Sequence, residues 1–290
     1  MALVSVARPA ATHNRRQLRH SLFAAGLLVV LIAVWAFYLF PLAWLVMMSL
    51  KTEVDIFSKT PTFLFTPTLQ HYAADVTNPK FLTAARNSLV VTLATSMLSM
   101  GLGSLAAYSL ARYRFRFSTT LAVGLILARM IPPIVFVVPI FLLFNALHLR
   151  NTWQGLVLVY TAFNIPFVVW LMRSFFEEVP IELEQAVLID GGSRLQAFWY
   201  VTMPLAAPGL AATAVFCAIV AWGEFLFALI LTGPDTGTLP IHLASFITDR
   251  TIEWGGVTST GVLVILPLVF FGMLVQRHLI KGLTLGAMKG

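Results

Sequence analysis

Long apolar stretches separated by short polar segments are the main pattern of this 290-residue chain. A helix that crosses a bilayer needs about 20 mainly apolar residues. Segments of about ten residues with alternating polarity, which are typical of outer-membrane barrels, do not occur in the sequence. The pattern therefore predicts an all-α membrane protein with six transmembrane helices, at residues 21–49, 85–111, 119–144, 155–175, 208–232 and 257–279.

The composition fits a membrane protein and argues against a soluble one. Hydrophobic residues make up 59% of the chain and charged residues 11%, whereas soluble domains carry about 25% charged residues. A net charge of +7 also fits a nucleic-acid-binding protein, but the basic residues flank the apolar stretches and so indicate topology instead. The single cysteine, Cys217, has no Cys or His neighbours at metal-site spacing, so we expect no metal site and no disulfide within the chain.

The distribution of Arg and Lys predicts an orientation in the membrane. Cytoplasmic loops carry an excess of these residues, and here they are concentrated before the first span, in the second and fourth loops and in the tail. This places the segment 1–20, the loop 176–207 and the tail 280–290 in the cytoplasm, around a six-helix domain at residues 21–279. The loop at residues 50–83 then forms a small extracytoplasmic cap.

The loop 176–207 is unusual because five of the twelve carboxylates of the chain lie between residues 177 and 190. Pro180 suits the first turn of a helix, and Glu182 and Glu184 lie where carboxylates stabilise the positive helix end. Gly191 or the following glycine can supply the left-handed residue that ends such a helix. A second short helix is predicted over residues 193–203, ending before Pro204.

The residues alone leave three interpretations of this loop open. It can be an ordinary polar loop, or a pair of short helices whose surface fits a groove in a partner protein. An enzyme with a carboxylate pair is the third, but Glu182 and Glu184 are two positions apart and diverge on a helix. No histidine lies near them.

The run 184-EQAVLIDGGSRLQAFWYVTMPL-205 closely resembles the EAA signature of permeases in binding-protein-dependent ABC importers. Other stretches are similar to the carbohydrate-importing branch, and in particular to the smaller permease subunit of maltose-type systems: 87-NSL-89, 129-RMIPP-133, 222-WGEF-225 and 277-RHLIKGLTLGAMKG-290. Three positions depart from the pattern: Gln185 stands where the signature prefers Glu, Val187 where it has Ala, and Gly223 where relatives often have Asn. The resemblance implies a type I ABC importer permease architecture.

The resemblance also implies partners and a mechanism. The loop would form a coupling helix docked in a cleft of a cytoplasmic ATPase, so ATP and Mg would bind to two partner ATPase subunits and no cofactor to this chain. A second permease subunit and an extracytoplasmic solute-binding protein that delivers a sugar would complete the assembly in a bacterial inner membrane. The tail 282–290 would lie between the ATPase subunits. The residues expected to couple are Glu184, Gln185, Ala186, Asp190, Gly191 and Gly192.

Six polar or aromatic residues inside the predicted spans are candidates for the substrate pathway. Ionisable groups within a membrane are costly and usually functional. Each candidate has a structural alternative: the Arg and the Glu can pair and hold two helices, the amides can bond between helices, and each Trp can pack or anchor at the membrane interface. The candidates are Asn87, Arg129, Asn164, Trp170, Trp222 and Glu224.

Motifs of familiar enzymes are missing from the sequence. It contains no G-x-x-x-x-G-K-[ST] phosphate loop, no H-E-x-x-H zinc motif and no G-x-S-x-G elbow. We therefore expect a permease subunit without catalytic residues. The alternatives are an ABC permease for a non-sugar solute and a secondary transporter that works alone, although the inverted repeats common in such transporters are not visible.

Overall fold

The computed structural model describes the backbone of residues 11–60, 62–113 and 115–287, and the side chains of residues 23–273 within those ranges. The described part is almost entirely helical, so the predicted all-α class is confirmed. Its helices are α1 (Ala11–Ser49), α2 (Glu53–Ile56), α3 (Gln70–Thr77), α4 (Pro79–Arg112), α5 (Ser118–Met130), α6 (Val137–Ala146), α7 (Trp153–Glu178), α8 (Ile181–Ile189), α9 (Arg194–Ala197), α10 (Met203–Leu205), α11 (Ala207–Trp222), α12 (Leu226–Leu231), α13 (Leu239–Ala244) and α14 (Trp254–Ala287).

Four of these helices are long and apolar enough to cross a membrane on their own. They are the Phe23–Ser49 part of α1, α4, α7 and the Trp254–Met273 part of α14. Two pairs of shorter helical segments are long and apolar enough only when each pair is counted as one bent span. They are Ser118–Met130 with Pro133–Ala146, and Arg194–Leu205 with Ala207–Trp222, which gives up to six spans in the described residues. The count of six and the cytoplasmic position of both termini stay predictions. Residues 1–10 and 288–290 of the predicted terminal segments lie outside the described residues.

The third predicted span, residues 119–144, is not the continuous helix that its apolar length suggested. α5 ends at Met130, a 3₁₀ turn covers Pro133–Phe136, and α6 continues at an angle of 90° to α5. Proline lacks the N–H of the helical ladder and disfavours helical geometry in the residue before it. Ile131, which precedes Pro132, accordingly has extended backbone angles.

The fifth predicted span, residues 208–232, is interrupted as well. α11 ends at Trp222 and α12 begins at Leu226. Between them, the carboxylate of Glu224 accepts hydrogen bonds from the backbone N–H groups of Phe227 (3.0 Å) and Ala228 (3.2 Å). It thereby satisfies two of the donors that the start of a helix leaves free.

The helices α4 and α7 form the centre of the bundle and pack against each other along their length. A Cβ atom at Gly103 would lie 2.6 Å from Cγ1 of Val168, so glycine permits the close approach of the two helices. One apolar cluster joins α7 to α12 through Phe227, and another joins α7 to the loop segment through Phe198.

The loop 176–207 contains two successive helical runs, as expected, but the second is longer than predicted. α9 passes into a π turn, Phe198–Thr202, and then into α10, which includes Pro204 and ends at Leu205. The predicted stop before Pro204 was wrong because proline is tolerated in the first turn of a helix, where its missing N–H has no partner. The bend comes at Ala206 instead, and α11 leaves this run at 79°.

The loop predicted to be an extracytoplasmic cap, residues 50–83, holds the short helices α2 and α3. Asp75 of α3 is buried, and its Oδ2 accepts hydrogen bonds from the hydroxyls of Ser259 (2.6 Å) and Thr260 (3.1 Å). Both hydroxyls belong to α14. A buried carboxylate therefore fastens this loop to the last long helix.

Candidate functional site

The helix α8 has defined stops at both ends. Pro180 precedes its first residue. At the other end the N–H of Gly192 donates to the carbonyl of Val187 (2.8 Å), and the N–H of Gly191 donates to that of Leu188 (3.2 Å). These two bonds, with Gly191 at φ +85°, make a Schellman ending. The predicted glycine stop is thus present, and Gly191 is its left-handed residue.

The next helix begins with a capping box. The hydroxyl of Ser193 accepts from the N–H of Gln196 (3.2 Å), and Gln196 Oε1 accepts from the N–H of Ser193 (2.6 Å). Reciprocal bonds of this kind satisfy two donors that the start of a helix leaves free. The turn between α8 and α9 is therefore fixed on both sides.

Glu184 points into the protein and connects three parts of the chain. Its Oε1 accepts from Arg112 Nε (2.7 Å) and from the Thr202 hydroxyl (2.6 Å), and its Oε2 accepts from the Tyr108 hydroxyl (2.8 Å). Arg112 also donates through Nη2 to the carbonyl of Val179 (2.8 Å). We call the four side chains Tyr108, Arg112, Glu184 and Thr202 the Glu184 latch.

The latch keeps the Glu184 carboxylate charged. Burial alone raises the pKa of a carboxyl group, but the bonds from Thr202, Arg112 and Tyr108 outweigh it and hold the pKa of Glu184 below its ordinary value of 4.5. At pH values above the ordinary pKa of 4.5, the ionised Glu184 carboxylate therefore stabilises the folded state. This contribution is lost as the pH falls through the pKa in the folded state.

The other predicted coupling residues lie on the surface. Gln185, Ala186, Asp190 and Gly191 are exposed, and Gly192 is half-buried. Ile189, beside the glycine stop, exposes 84% of its surface. The outward face of α8 therefore combines the apolar Ile189 with Gln185, and carries the carboxylates of Glu182 and Asp190 towards its two ends.

A cavity of about 540 Å³ lies between the break after α5, the middle of α7 and the break between α11 and α12. It contains three of the six pathway candidates, Arg129, Asn164 and Glu224. We call it the polar cavity; its other lining residues are Ile131, Pro132, Pro133, Ile134, Tyr160, Phe163, Val220, Ala221, Leu226 and Phe227.

The polar groups of this cavity are only partly hydrogen-bonded within the chain. Arg129 Nη1 donates to the carbonyl of Phe163 (2.8 Å), and Asn164 Nδ2 donates to the carbonyl of Tyr160 (2.9 Å). Asn164 Oδ1 is buried and has no hydrogen-bond partner among the described residues. The Tyr160 hydroxyl is buried close to the Glu224 carboxylate, but the two groups do not meet in hydrogen-bonding geometry. Other buried side-chain atoms of the described residues also lack a partner, so these two groups are informative because they line a cavity that a polar solute could enter.

The alternative in which Arg129 and Glu224 pair to hold two helices does not match this geometry. Within the side chains that the structure describes, the two salt bridges are Arg112–Glu184 and Arg173–Glu177. Arg129 is bonded to α7 by its guanidinium, while Glu224 caps α12.

The remaining three candidates lie outside the polar cavity. Asn87 is fully buried; its Nδ2 donates to the carbonyls of Asp235 and Gly237 (2.9 Å each), and its Oδ1 accepts from Trp153 Nε1 (3.0 Å). Its amide thus holds the loop after α12 against α4 and α7. A pathway role for this residue stays a prediction without support from the contacts.

The two tryptophan candidates occupy different surroundings. Trp222 is buried and donates through Nε1 to the carbonyl of Val264 (3.0 Å), which joins α11 to α14. Trp170 is 55% exposed and lines a separate groove beside α5. The contacts of Trp222 fit the packing alternative given above, and the exposure of Trp170 is compatible with a position at the membrane interface.

Sequence reasoning missed the partners that complete both sites. Tyr108 and Arg112 are four residues apart on one helix face, and so are Tyr160 and Asn164. This spacing was visible in the sequence, but nothing local indicated which segment each face contacts. Thr202 carried no signal, because the π turn that presents it has no simple sequence pattern.

Comparisons with known proteins agree with this architecture. Residues 99–285 match the family described as "Binding-protein-dependent transport system inner membrane component". The chain belongs to this family. The permease is 41% identical over 252 residues to a probable ABC transporter permease of Sinorhizobium fredii, which covers 87% of this chain and 91% of the relative.

Other relatives of similar sequence identity have names that specify a sugar. The permease is 34% identical over 255 residues to the trehalose transport system permease of Mycobacterium tuberculosis (87% and 93% covered). It is 32% identical over 262 residues to the trehalose/maltose permease of Thermococcus litoralis (87% and 92% covered). The resemblance to the carbohydrate-importing branch is thereby confirmed.

Among solved structures, the fold matches a chain of a bacterial ABC transporter involved in the import of the acidic polysaccharide alginate. The TM-score is 0.76 at 24% identity, with 89% of this chain and 96% of the other covered. The match shows the ABC importer permease fold. The roles of individual coupling and pathway residues stay predictions.

Proposed function

We propose that this permease moves a sugar or sugar derivative into the cytoplasm by ATP-driven alternating access. An extracytoplasmic binding protein delivers the substrate, and two ATPase subunits drive the cycle beside a second permease subunit, with ATP and Mg bound to the ATPases. The sugar names of its relatives support a carbohydrate, and the fold supports an importer.

The polar cavity is the observation that carries this proposal for the chain itself. It lies where two predicted spans break, and broken helices in transporters often mark substrate sites. The Tyr160 hydroxyl and Asn164 Oδ1 offer unused hydrogen-bonding capacity beside the guanidinium of Arg129. Sugar hydroxyls both donate and accept hydrogen bonds, so they match such a mixed set of groups.

Coupling to ATP is assigned to α8 and the turn after it. A switch between two states requires that ATP favours one of them, and an exposed, rigidly ended helix can transmit that preference as a displacement. In this proposal Gln185, Ala186 and Asp190 contact the ATPase, while Gly191 and Gly192 keep the end of α8 fixed.

Reconstitution of the complete complex with its binding protein tests the function. We expect ATP hydrolysis to rise when one carbohydrate of a panel of trehalose, maltose and diacetylchitobiose is added with the binding protein. Methionine serves as the non-sugar probe. Stimulation by methionine with no response to any carbohydrate would assign the permease to another substrate class.

Variants in the cavity test the pathway separately. We expect Arg129→Ala and Asn164→Ala to lower uptake of the stimulating sugar without lowering the yield of the complex. Leu142→Ala is the matched control, because Leu142 is 61% exposed on α6 and does not line the cavity. Normal affinity and rate in both cavity variants would remove these residues from the pathway.

A further inference from the structure

We propose that Glu184 is a positioning residue that latches α8 to the end of α4, so that a displacement of α8 is passed directly into the centre of the bundle. The inference rests on the proposed ATP-driven cycle and names the contact that transmits it. The Glu184 latch is the observation that carries it.

The latch joins segments that are distant in the chain. Arg112 lies 72 residues from Glu184, and Tyr108 lies 76 residues from it. Both donors project from one face of the last turns of α4. A displacement of α8 therefore reaches α4 through two side-chain bonds, from Tyr108 and Arg112 to Glu184, in parallel with the covalent route through α7 or α9.

Burial makes this connection stiff. The side chains of Arg112 and Glu184 are each 8% exposed, and Glu184 as a whole is 6% exposed. Separating the pair would leave a buried charge without its partner, which is strongly unfavourable. The four groups are thus expected to move as one unit through the cycle.

The route from α4 to the cavity is also built from close contacts. α4 packs along α7, with Gly103 against Val168. α7 carries Tyr160, Phe163 and Asn164, which line the polar cavity. A shift of α4 at its Arg112 end therefore acts on the wall that holds the unpartnered polar groups.

The same geometry removes Glu184 from the surface available to an ATPase. Both of its oxygens already accept hydrogen bonds within this chain. Polar contact with a partner is then left to exposed residues of α8 and its end, among them Gln185 and Asp190 near the apolar Ile189.

A labelling experiment that needs no known substrate tests the latch in the assembled complex. A cysteine replaces Ile134, a cavity residue that is 59% exposed, in a Cys217→Ala background. The rate of maleimide modification is measured with and without a non-hydrolysable ATP analogue. The variants are Glu184→Gln and Thr202→Val, and the matched control is Glu182→Gln, an exposed carboxylate on the same helix.

We expect the ATP analogue to change the rate of maleimide modification at position 134, both in the otherwise unmutated complex and in the Glu182→Gln control. In Glu184→Gln the change shrinks by about fivefold or more, the lower end of typical coupling between sites, and in Thr202→Val it shrinks less. The response is measured per assembled complex, normalised to the amount of ATPase recovered with the permease. A purely structural defect would lower that amount but leave a full response in the complexes that remain.

Two outcomes would overturn the latch, and they are distinguishable. A full ATP response in both Glu184→Gln and Thr202→Val would refute the latch while leaving the proposed function intact. No ATP response in the unmutated complex would refute the alternating access itself, and the latch with it.

Discussion

The Glu184 latch and the polar cavity each bring a tyrosine and a glutamate together, but their atoms are partnered differently. In the latch, the Tyr108 hydroxyl donates to Glu184, and both carboxylate oxygens are occupied. In the cavity, the Tyr160 hydroxyl and Asn164 Oδ1 have no partner among the described residues.

This difference suits the latch to a rigid structural role and the cavity to binding a solute. A buried polar group without a partner costs free energy, whereas a fully bonded network rigidifies its surroundings. The latch is therefore suited to hold segments in one geometry. The cavity carries an unmet requirement for hydrogen bonds, which a polar solute can satisfy.

Removing the carboxylate of the latch should have the largest effect on stability. We expect Glu184→Ala to lower the free energy of unfolding in detergent micelles by about 3–5 kcal/mol, because it leaves Arg112 buried without its partner. Glu177→Ala is the control. Its salt bridge with Arg173 joins side chains that are 37% and 48% exposed, and such i,i+4 pairs contribute about 0.3–0.5 kcal/mol.

Equal losses in the two variants would show that the Arg112–Glu184 pair is no more buried or constrained than a surface pair. The latch would then hold its segments no more firmly than an exposed ion pair does.

Tyr108→Phe tests a single bond of the latch. A hydrogen bond to a charged group contributes about 1.5–3 kcal/mol, and we expect a loss of this size in the unfolding free energy. Phe keeps the ring, which packs against Phe176 and Phe198, so the change isolates the hydroxyl. A stability equal to that of the unmutated protein would mean that the bond to Glu184 is not formed in the membrane protein as purified.

The sequence predicted the elements better than their connections. Apolar length located the helices, and Pro180 and Gly191 marked the ends of α8, because these signals are local. The breaks around Pro132 and Glu224 were missed, because length alone cannot show whether a stretch is straight. Pro132 and Pro133 are the local signal of the first break, because proline disrupts a helix whatever the apolar length around it.

The same limit applies to the sites. Arg129, Asn164 and Glu224 were predicted as pathway candidates because charged and amide groups are costly inside a membrane. Whether Glu184 faces inward or outward depends on Arg112 and on a π turn, and neither contact is encoded near Glu184 itself. Direction of a side chain is a tertiary property, and only the packed structure could supply it.

The glycine that ends α8 provides a smaller test. Gly191 has φ +85°, a region that costs other residues about 1–2 kcal/mol, so we expect Gly191→Ala to lower the unfolding free energy by that amount. In Gly101→Ala the new Cβ would meet no atom within 4 Å, and alanine is the better helix former. The control should therefore be neutral or slightly stabilising, and a matching loss there would remove the conformational argument for Gly191.

Tyr160→Phe should change stability least and yet affect transport, which makes it the sharpest test of the comparison. Because the hydroxyl meets no acceptor in hydrogen-bonding geometry among the described residues, we expect the unfolding free energy to change by less than about 1 kcal/mol. If a sugar hydroxyl occupies that position during transport, the sugar concentration that gives half-maximal stimulation of ATP hydrolysis should rise by about two- to tenfold, the equivalent of one neutral hydrogen bond.

Tyr108→Phe should show the reverse pattern, with lower stability and an unchanged half-maximal concentration. A loss of stability in Tyr160→Phe as large as in Tyr108→Phe would mean that the cavity hydroxyl is bonded within the protein, and that the cavity is a structural cluster like the latch.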